Sequence, residues 1–188
     1  MQYYIYSLVC FLLPGTVWLI WNKGMIADKA YKVRHIIWIY IYLFYGYLAV
    51  QEAAGIGTIW DLIAYGKLDN SINLIPFSSE GAMTYILNII MFMPFGFLLP
   101  LIWKNFRNAK KVVLMGFLMS LAIEICQLFN IRTTDIDDLL MNTLGTLVGY
   151  CCWKVFSLIF RNAGTKCVEM KKSEPVIYMF GGILGLFL

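Results

Sequence analysis

Four of the eleven acidic side chains in this 188-residue chain crowd into one short stretch. They are Glu124, Asp135, Asp137 and Asp138, with Gln127, Arg132 and Asn142 between and after them. On a helix Glu124 and Gln127 share a face, together with Ser120 one turn earlier. Asn142 follows Asp138 by one turn, and Asn88 stands in an apolar run well upstream. Two carboxylates suffice for general acid and base work on a glycosidic bond, which makes Glu124, with Asp135 or Asp138 as its second, the catalytic candidates. Arg132 suits an anionic phosphate or carboxylate, and Asn88, Gln127 and Asn142 could orient a substrate through amide hydrogen bonds. No His, Ser or Cys stands in a recognisable nucleophile setting, so the reaction type stays open. Cys10, Cys126, Cys151, Cys152 and Cys167 show neither a metal spacing nor a disulfide framework, and no metal or other cofactor is expected.

The elements that must hold these residues are apolar. Hydrophobic residues make up 61% of the chain and charged ones 14%, against roughly a quarter charged in ordinary globular domains. Long uncharged runs of this kind are the mark of helices that cross a hydrocarbon core roughly 30 Å thick. Five such runs are expected: Tyr3–Trp21, Ile36–Ala54, Gly81–Trp103, Val112–Phe129 and Leu139–Phe160. The first reads as a retained span rather than a signal peptide, because no Lys or Arg precedes it and no small-x-small cleavage site follows. A sixth run, Val176–Leu188, has thirteen residues, and at 1.5 Å each it reaches about 20 Å, short of a full crossing. The expected fold is an all-α polytopic membrane bundle forming a single domain over residues 1–188.

Charge gives this bundle a direction. Lys23, Lys29, Lys32 and Arg34 follow the first run, Lys104, Arg107, Lys110 and Lys111 the third, and Arg161, Lys166, Lys171 and Lys172 the fifth. The other two loops are acidic, with Asp61, Asp69 and Glu80 in one and Asp135, Asp137 and Asp138 in the other. Cytoplasmic loops collect cations, which puts the N-terminus and both acidic loops outside a bacterial cytoplasmic membrane. The pI near 8.7 then reflects anchoring to an anionic leaflet, not nucleic-acid binding. His35 falls at the cytoplasmic mouth of the second run and reads as a boundary residue. The candidates Glu52, Asn88, Glu124, Gln127, Asp138 and Asn142 all fall toward the outer side.

Several features shape that outer end. Ile56, Ile59, Trp60 and Ile63 recur at helical spacing, which predicts a short interfacial helix. The Asn73–Phe77 run reads as a turn descending into the third span, because Pro76 disfavours helix at Ile75. Pro94 and Gly96 predict a bend or close packing in the third span. Gly145 and Gly149, at small-xxx-small spacing, let a neighbouring helix approach; were that neighbour the fourth span, Glu124 and Gln127 would face Asn142 and Asp138. Each feature has a plainer reading too. Glu124 with Arg132 reads equally as an ion pair closing the bundle, and the aspartates as charges favouring a helix N-terminus.

The Asn73–Phe77 segment, the Asn88–Gly96 run, Glu124 with Gln127, and the Arg132–Asp138 block leading into Asn142, Gly145, Gly149 and Tyr150 resemble the VanZ-like family. The resemblance covers a core of about residues 70–150. It implies a small multi-span bacterial envelope protein associated with low-level resistance to teicoplanin and related lipoglycopeptides. Its partners would be membrane lipid, and a lipoglycopeptide, a lipid-linked cell-wall precursor or a surface glycan. Two other classes stay in view: an intramembrane enzyme acting on a lipid-linked or glycan substrate, with Glu124 as general acid/base, and a structural or partner-binding membrane protein. The oligomeric state is not legible in the sequence.

Overall fold

The computed structural model describes residues 2–22, 29–56, 58–65, 72–77, 81–129, 134–160 and 173–188. Helix α1 spans Gln2–Asn22 and α2 spans Lys29–Tyr47, which continues into a π-helical stretch at Leu48–Ala54. A short α3, Ile59–Tyr65, lies where the helical spacing of Ile59, Trp60 and Ile63 predicts it. Helix α4 covers Ala82–Ile102, α5 Ala109–Gln127, α6 Ile136–Ile159 and α7 Glu174–Phe187. The described strand structure is one parallel bridge of two residues each, in which β1 (Ile72–Asn73) pairs with β2 (Thr134–Asp135).

Among the described residues, three helices are long and apolar enough to cross a membrane: α1 over Tyr4–Asn22, α2 with its π-helical end over Lys32–Gln51, and α4 over Ala82–Ile102. Helices α5 and α6 have the length, at 19 and 24 residues. They carry charge at their ends, however: Lys110, Lys111 and Glu124 on one, and Asp137, Asp138 and Lys154 on the other.

The bundle has two groups of helices. Helix α6 lies against α4 at backbone distance, because small residues remove the side chains that would separate them. A Cβ on Gly96 would sit 1.9 Å from the Thr146 carbonyl oxygen, one on Gly145 2.3 Å from that of Ile89, and one on Gly149 2.0 Å from that of Met93. The glycine stripe of α6 therefore faces the third apolar run, not the fourth. Helix α5 joins from another side, with Gly116 against the Thr146 side chain. Helix α4 stays continuous through Pro94 and Pro100. In the other group α7 packs antiparallel on α1, where Gly185 meets Cys10 and Gly182 meets Phe11.

An aromatic cluster joins the two groups. Tyr42 stacks on Phe95 at 5.8 Å between centroids and meets Trp103 edge-on at 4.9 Å, and Trp103 lies 6.3 Å from Tyr178. All four rings are fully buried. Burial alternates with helical period along α1, where Ser7, Phe11, Gly15 and Leu19 turn inward while Val9, Leu13, Val17 and Ile20 stay exposed. Such apolar exposure along whole helices is what a lipid solvent permits and water does not.

Two ends can be distinguished by charge. The starts of α4 and α6 with the end of α5 form an aspartate end. The start of α2, the end of α4 and the start of α5 form a lysine-rich end. Helix α7 has contacts at both, from Glu174 beside His35 and Trp103 to Phe187, whose ring meets Phe129 at 4.9 Å, and Leu188, whose carbonyl accepts Trp60 Nε1–H at 3.0 Å.

Candidate functional site

At the aspartate end the three acidic residues of the 135–138 block have separate tasks. Asp135 is the N-cap of α6: its Oδ1 accepts the Asp137 amide at 2.9 Å, satisfying a donor the helix cannot satisfy itself. Its Oδ2 accepts from Asn73 Nδ2 at 3.0 Å, which clips β1 beside β2. Asp137 is fully buried and accepts the Phe77 amide on both oxygens at 2.9 Å, with the Tyr85 hydroxyl also at 2.9 Å on Oδ2. Phe77 is held at φ 61°, a left-handed conformation that is costly for a bulky residue and persists where its surroundings fix it. Asp138 accepts a hydrogen bond from Asn88 Nδ2, tying α6 to α4.

Glu124 comes from the last turn of α5 and is 4% exposed. Its Oε2 accepts the Asp135 amide at 3.3 Å, and the Asp138 and Asp135 carboxylates lie within Coulombic reach. Thr134 Oγ1 donates to the Glu124 carbonyl at 3.4 Å. One turn deeper, Asn142 Nδ2 donates to Ser120 Oγ at 3.0 Å, while Asn142 Oδ1 is buried with no hydrogen-bond partner among the described residues. Gln127 turns elsewhere: its Nε2 donates at 2.8 Å to the carbonyl of Ala54, the last residue of the π-helical stretch. The chain leaves the π-helix there through Gly55 in the left-handed region.

The sequence candidates are thus divided. Asn88, Glu124, Asp135, Asp138 and Asn142 come together from α4, α5 and α6. Gln127 shares the face of Glu124 but serves the α2 junction, and Asn142 meets Ser120 instead of Glu124. Arg132 lies outside the described residues, as does the Glu52 side chain. Asn73, Tyr85 and the Phe77 amide are participants that residue type and spacing did not single out, and Asp137 is more than a charge at a helix end. Asn73 three residues before Pro76 is the available signal, since Asn side chains tie down turns, as the Asn73 Oδ1 bond to the Ile75 amide does here at 3.1 Å. Among the described residues, no group of three or more His, Cys, Asp or Glu side chains is arranged to hold a metal ion.

A second polar cluster lies at the lysine-rich end. Glu174, fully buried, accepts from Trp103 Nε1 at 3.0 Å on one oxygen and from the Tyr178 hydroxyl at 3.0 Å on the other, which also lies 2.8 Å from His35 Nε2. His35 is 5% exposed, so it is an interior residue and not a boundary one. The Ser173-Glu174-Pro175 start of α7 carries the hint, because Pro favours the first helical turn.

The helices, their lipid-like exposure and this aspartate-capped helix junction define a helical membrane protein. The family model described as VanZ/LLP1 matches residues 6–157, and the chain belongs to that family. It is 35% identical over 129 residues to Protein VanZ of Enterococcus faecium, covering 68% of this chain and 74% of that protein. The family match begins well upstream of residue 70 and so takes in α1 and α2 as well as the core. No solved structure matches the chain.

Proposed function

We propose that this is a bacterial cell-envelope protein whose polar site opens on the outer side of the cytoplasmic membrane and lowers susceptibility to teicoplanin-type lipoglycopeptides. It would act by altering surface glycans or lipids, or access to the drug's target. In this reading α1, α2, α4, α5 and α6 are full spans, with the N-terminus and the acidic loops outside and the basic loops in the cytoplasm. One observation carries it: Asn88, Glu124, Asp138 and Asn142 converge from three helices at the end opposite the lysine-rich loops. Glycopeptides act outside the membrane, so a site on that side is where such a protein would work. The kinship with Protein VanZ supports the same reading. The test is expression in a susceptible Gram-positive host. Teicoplanin sensitivity should fall, and an unchanged sensitivity at normal protein abundance sinks the proposal.

A second reading, an intramembrane enzyme acting on a lipid-linked or glycan substrate, is favoured by the burial of Glu124 beside Asp138. Asp135 is the poorer second carboxylate, since capping and the Asn73 bond occupy its oxygens. In this reading Glu124→Gln abolishes the resistance while leaving abundance intact. Full resistance in that variant removes the catalytic role. If the polar groups only hold helices together, the same variant lowers abundance.

A further inference from the structure

The loop that joins α4 to α5 carries cations and no carboxylate. Lys104–Phe106 forms a single 3-10 turn, Arg107 follows, and Asn108 caps α5 by accepting the Lys110 amide on Oδ1 at 2.9 Å. The Tyr150 hydroxyl donates to the Arg107 carbonyl at 3.2 Å, which pins the loop to the second half of α6. There the Arg107 guanidinium lies over the ring of Trp153, 6.0 Å from its centroid, and the Tyr150 ring stands 5.5 Å from the same indole. Trp153 is 6% exposed.

This corner lacks an acceptor. Trp153 Nε1–H is buried with no hydrogen-bond partner among the described residues, although a buried indole N–H ordinarily has one. A cation over the ring face leaves the N–H edge unserved. Neither Trp103–Ile123 nor Leu139–Phe160 contains an Asp or Glu, so the two segments that meet here offer no carboxylate. The side-chain amide oxygens of the loop are engaged, Asn105 Oδ1 by the Lys111 ammonium and Asn108 Oδ1 by the Lys110 amide. Glu174, the buried carboxylate at this end, is held by His35, Trp103 and Tyr178. An indole donor without an acceptor, beside a guanidinium, suits an anion better than a neutral group. Hydrogen bonds of about 2.9 Å from two donors meet at one oxygen when the donors stand roughly 6 Å apart, and the guanidinium and the indole are separated on that scale.

The geometry points to a phosphate-binding site at the lysine-rich end, in which the Arg107 guanidinium and Trp153 Nε1–H together hold one oxyanion, the phosphate of an anionic phospholipid headgroup or of a soluble phosphate. A helix end at a bilayer surface meets that anion as lipid phosphate. The Arg107 side chain is the movable part. Its carbonyl is fixed by Tyr150, whereas the long, half-buried side chain can swing aside and admit the oxyanion to the indole edge. The site lies at the other end of the bundle from Glu124 and does not depend on what the Glu124 cluster does.

The test uses the native chain, labelled with nitrogen-15 on its tryptophan indoles, in maltoside micelles free of phosphate. The Trp153 indole resonance is assigned by its loss in Trp153→Phe, and phosphatidylglycerol, glycerophosphoglycerol or inorganic phosphate is then titrated in. The Trp153 N–H proton should move downfield as it gains an acceptor. Movement with phosphatidylglycerol alone assigns the site to a lipid headgroup, and equal movement with the two water-soluble phosphates assigns it to a soluble one. No movement with any of the three overturns the proposal. Arg107→Gln should weaken the binding about tenfold or more, the loss expected for a charge-assisted hydrogen bond. Lys104→Gln, which removes an exposed cation of the same loop, should leave it within about twofold. Equal losses in the two variants mean diffuse attraction to a basic surface and overturn the site as well.

Discussion

Replacing Glu174 with alanine removes the acceptor of a fully buried cluster and leaves His35, Trp103 and Tyr178 without it. Hydrogen bonds to a charged group contribute about 1.5–3 kcal/mol each in soluble proteins, which for three bonds would give an upper figure of about 5–9. Side-chain hydrogen bonds within membranes average nearer 0.6 kcal/mol, because the unfolded chain in lipid also finds partners, and three of those give about 2. The first figure overcounts, since bonds sharing one acceptor are not additive. The second undercounts, since the deletion strands donors that have no access to water. A loss of about 2–5 kcal/mol is expected for Glu174→Ala. Glu174→Gln, which keeps the size and one carbonyl acceptor, should cost about 1–2 kcal/mol. Unfolding in mixed micelles of rising dodecyl sulfate fraction, followed by far-ultraviolet circular dichroism, measures both. Adding His35→Ala to each variant then isolates the pair. If Glu174→Ala stays within about 0.5 kcal/mol of the parent, the range of an ordinary surface substitution, the cluster does not fasten α7 and the reasoning fails.

Other perturbations follow from the same geometry. Gly149→Ala and Gly96→Ala place a methyl 2.0 and 1.9 Å from backbone oxygens. The two helices must then separate, at about 3 kcal/mol or more; the monodisperse fraction after detergent extraction should collapse, while Gly81→Ala, with nothing within 4 Å, leaves it unchanged. Asn73→Ala releases β1 from Asp135 and the Ile75 amide from its partner, a loss of about 1–2 kcal/mol confined to the loop. Amide hydrogen exchange should accelerate across residues 72–77 and not in the middle of α4. Trp103→Phe keeps most of the ring packing but deletes one donor to Glu174, so about 0.5–1.5 kcal/mol should be lost in the micelle titration. A loss as large as that of Glu174→Ala would mean that packing, not the hydrogen bond, is the larger part.

The apolar runs by themselves mark out most of the helices, because a hydrocarbon solvent leaves the backbone little choice. The short helix at Ile59–Tyr65 and the turn at Asn73–Phe77 are legible from spacing and from Pro76. The acidic block is legible as a cluster, since charge is scarce in this chain. The partner of each group is not. The glycine stripe of α6 states that some backbone comes close, but α4 and α5 are equally plausible neighbours by pattern. Only packing shows that Ile89 and Met93 fill that place while Gly116 receives Thr146. Gln127 and Glu124 share a helix face, yet the π-helical end of α2 claims Gln127.

Separation along the chain explains the largest omission. His35 and Glu174 stand 139 positions apart, each beside a loop rich in cations, and local pattern makes both look like solvated boundary residues. They become a buried pair because α7 packs against α1 and α2, bringing its first turn beside Trp103. Sequence alone determined that this chain lives in a membrane, which segments are helical, and that its carboxylates gather toward one end. Tertiary structure decided that Asp135 and Asp137 are occupied holding a helix start and a loop, that Glu124 and Asp138 approach each other, and that a second carboxylate site is sealed at the opposite end. The reason is physical: solvent preference is carried by composition, whereas the partner of a buried polar group is set by which backbones can come close enough to place it.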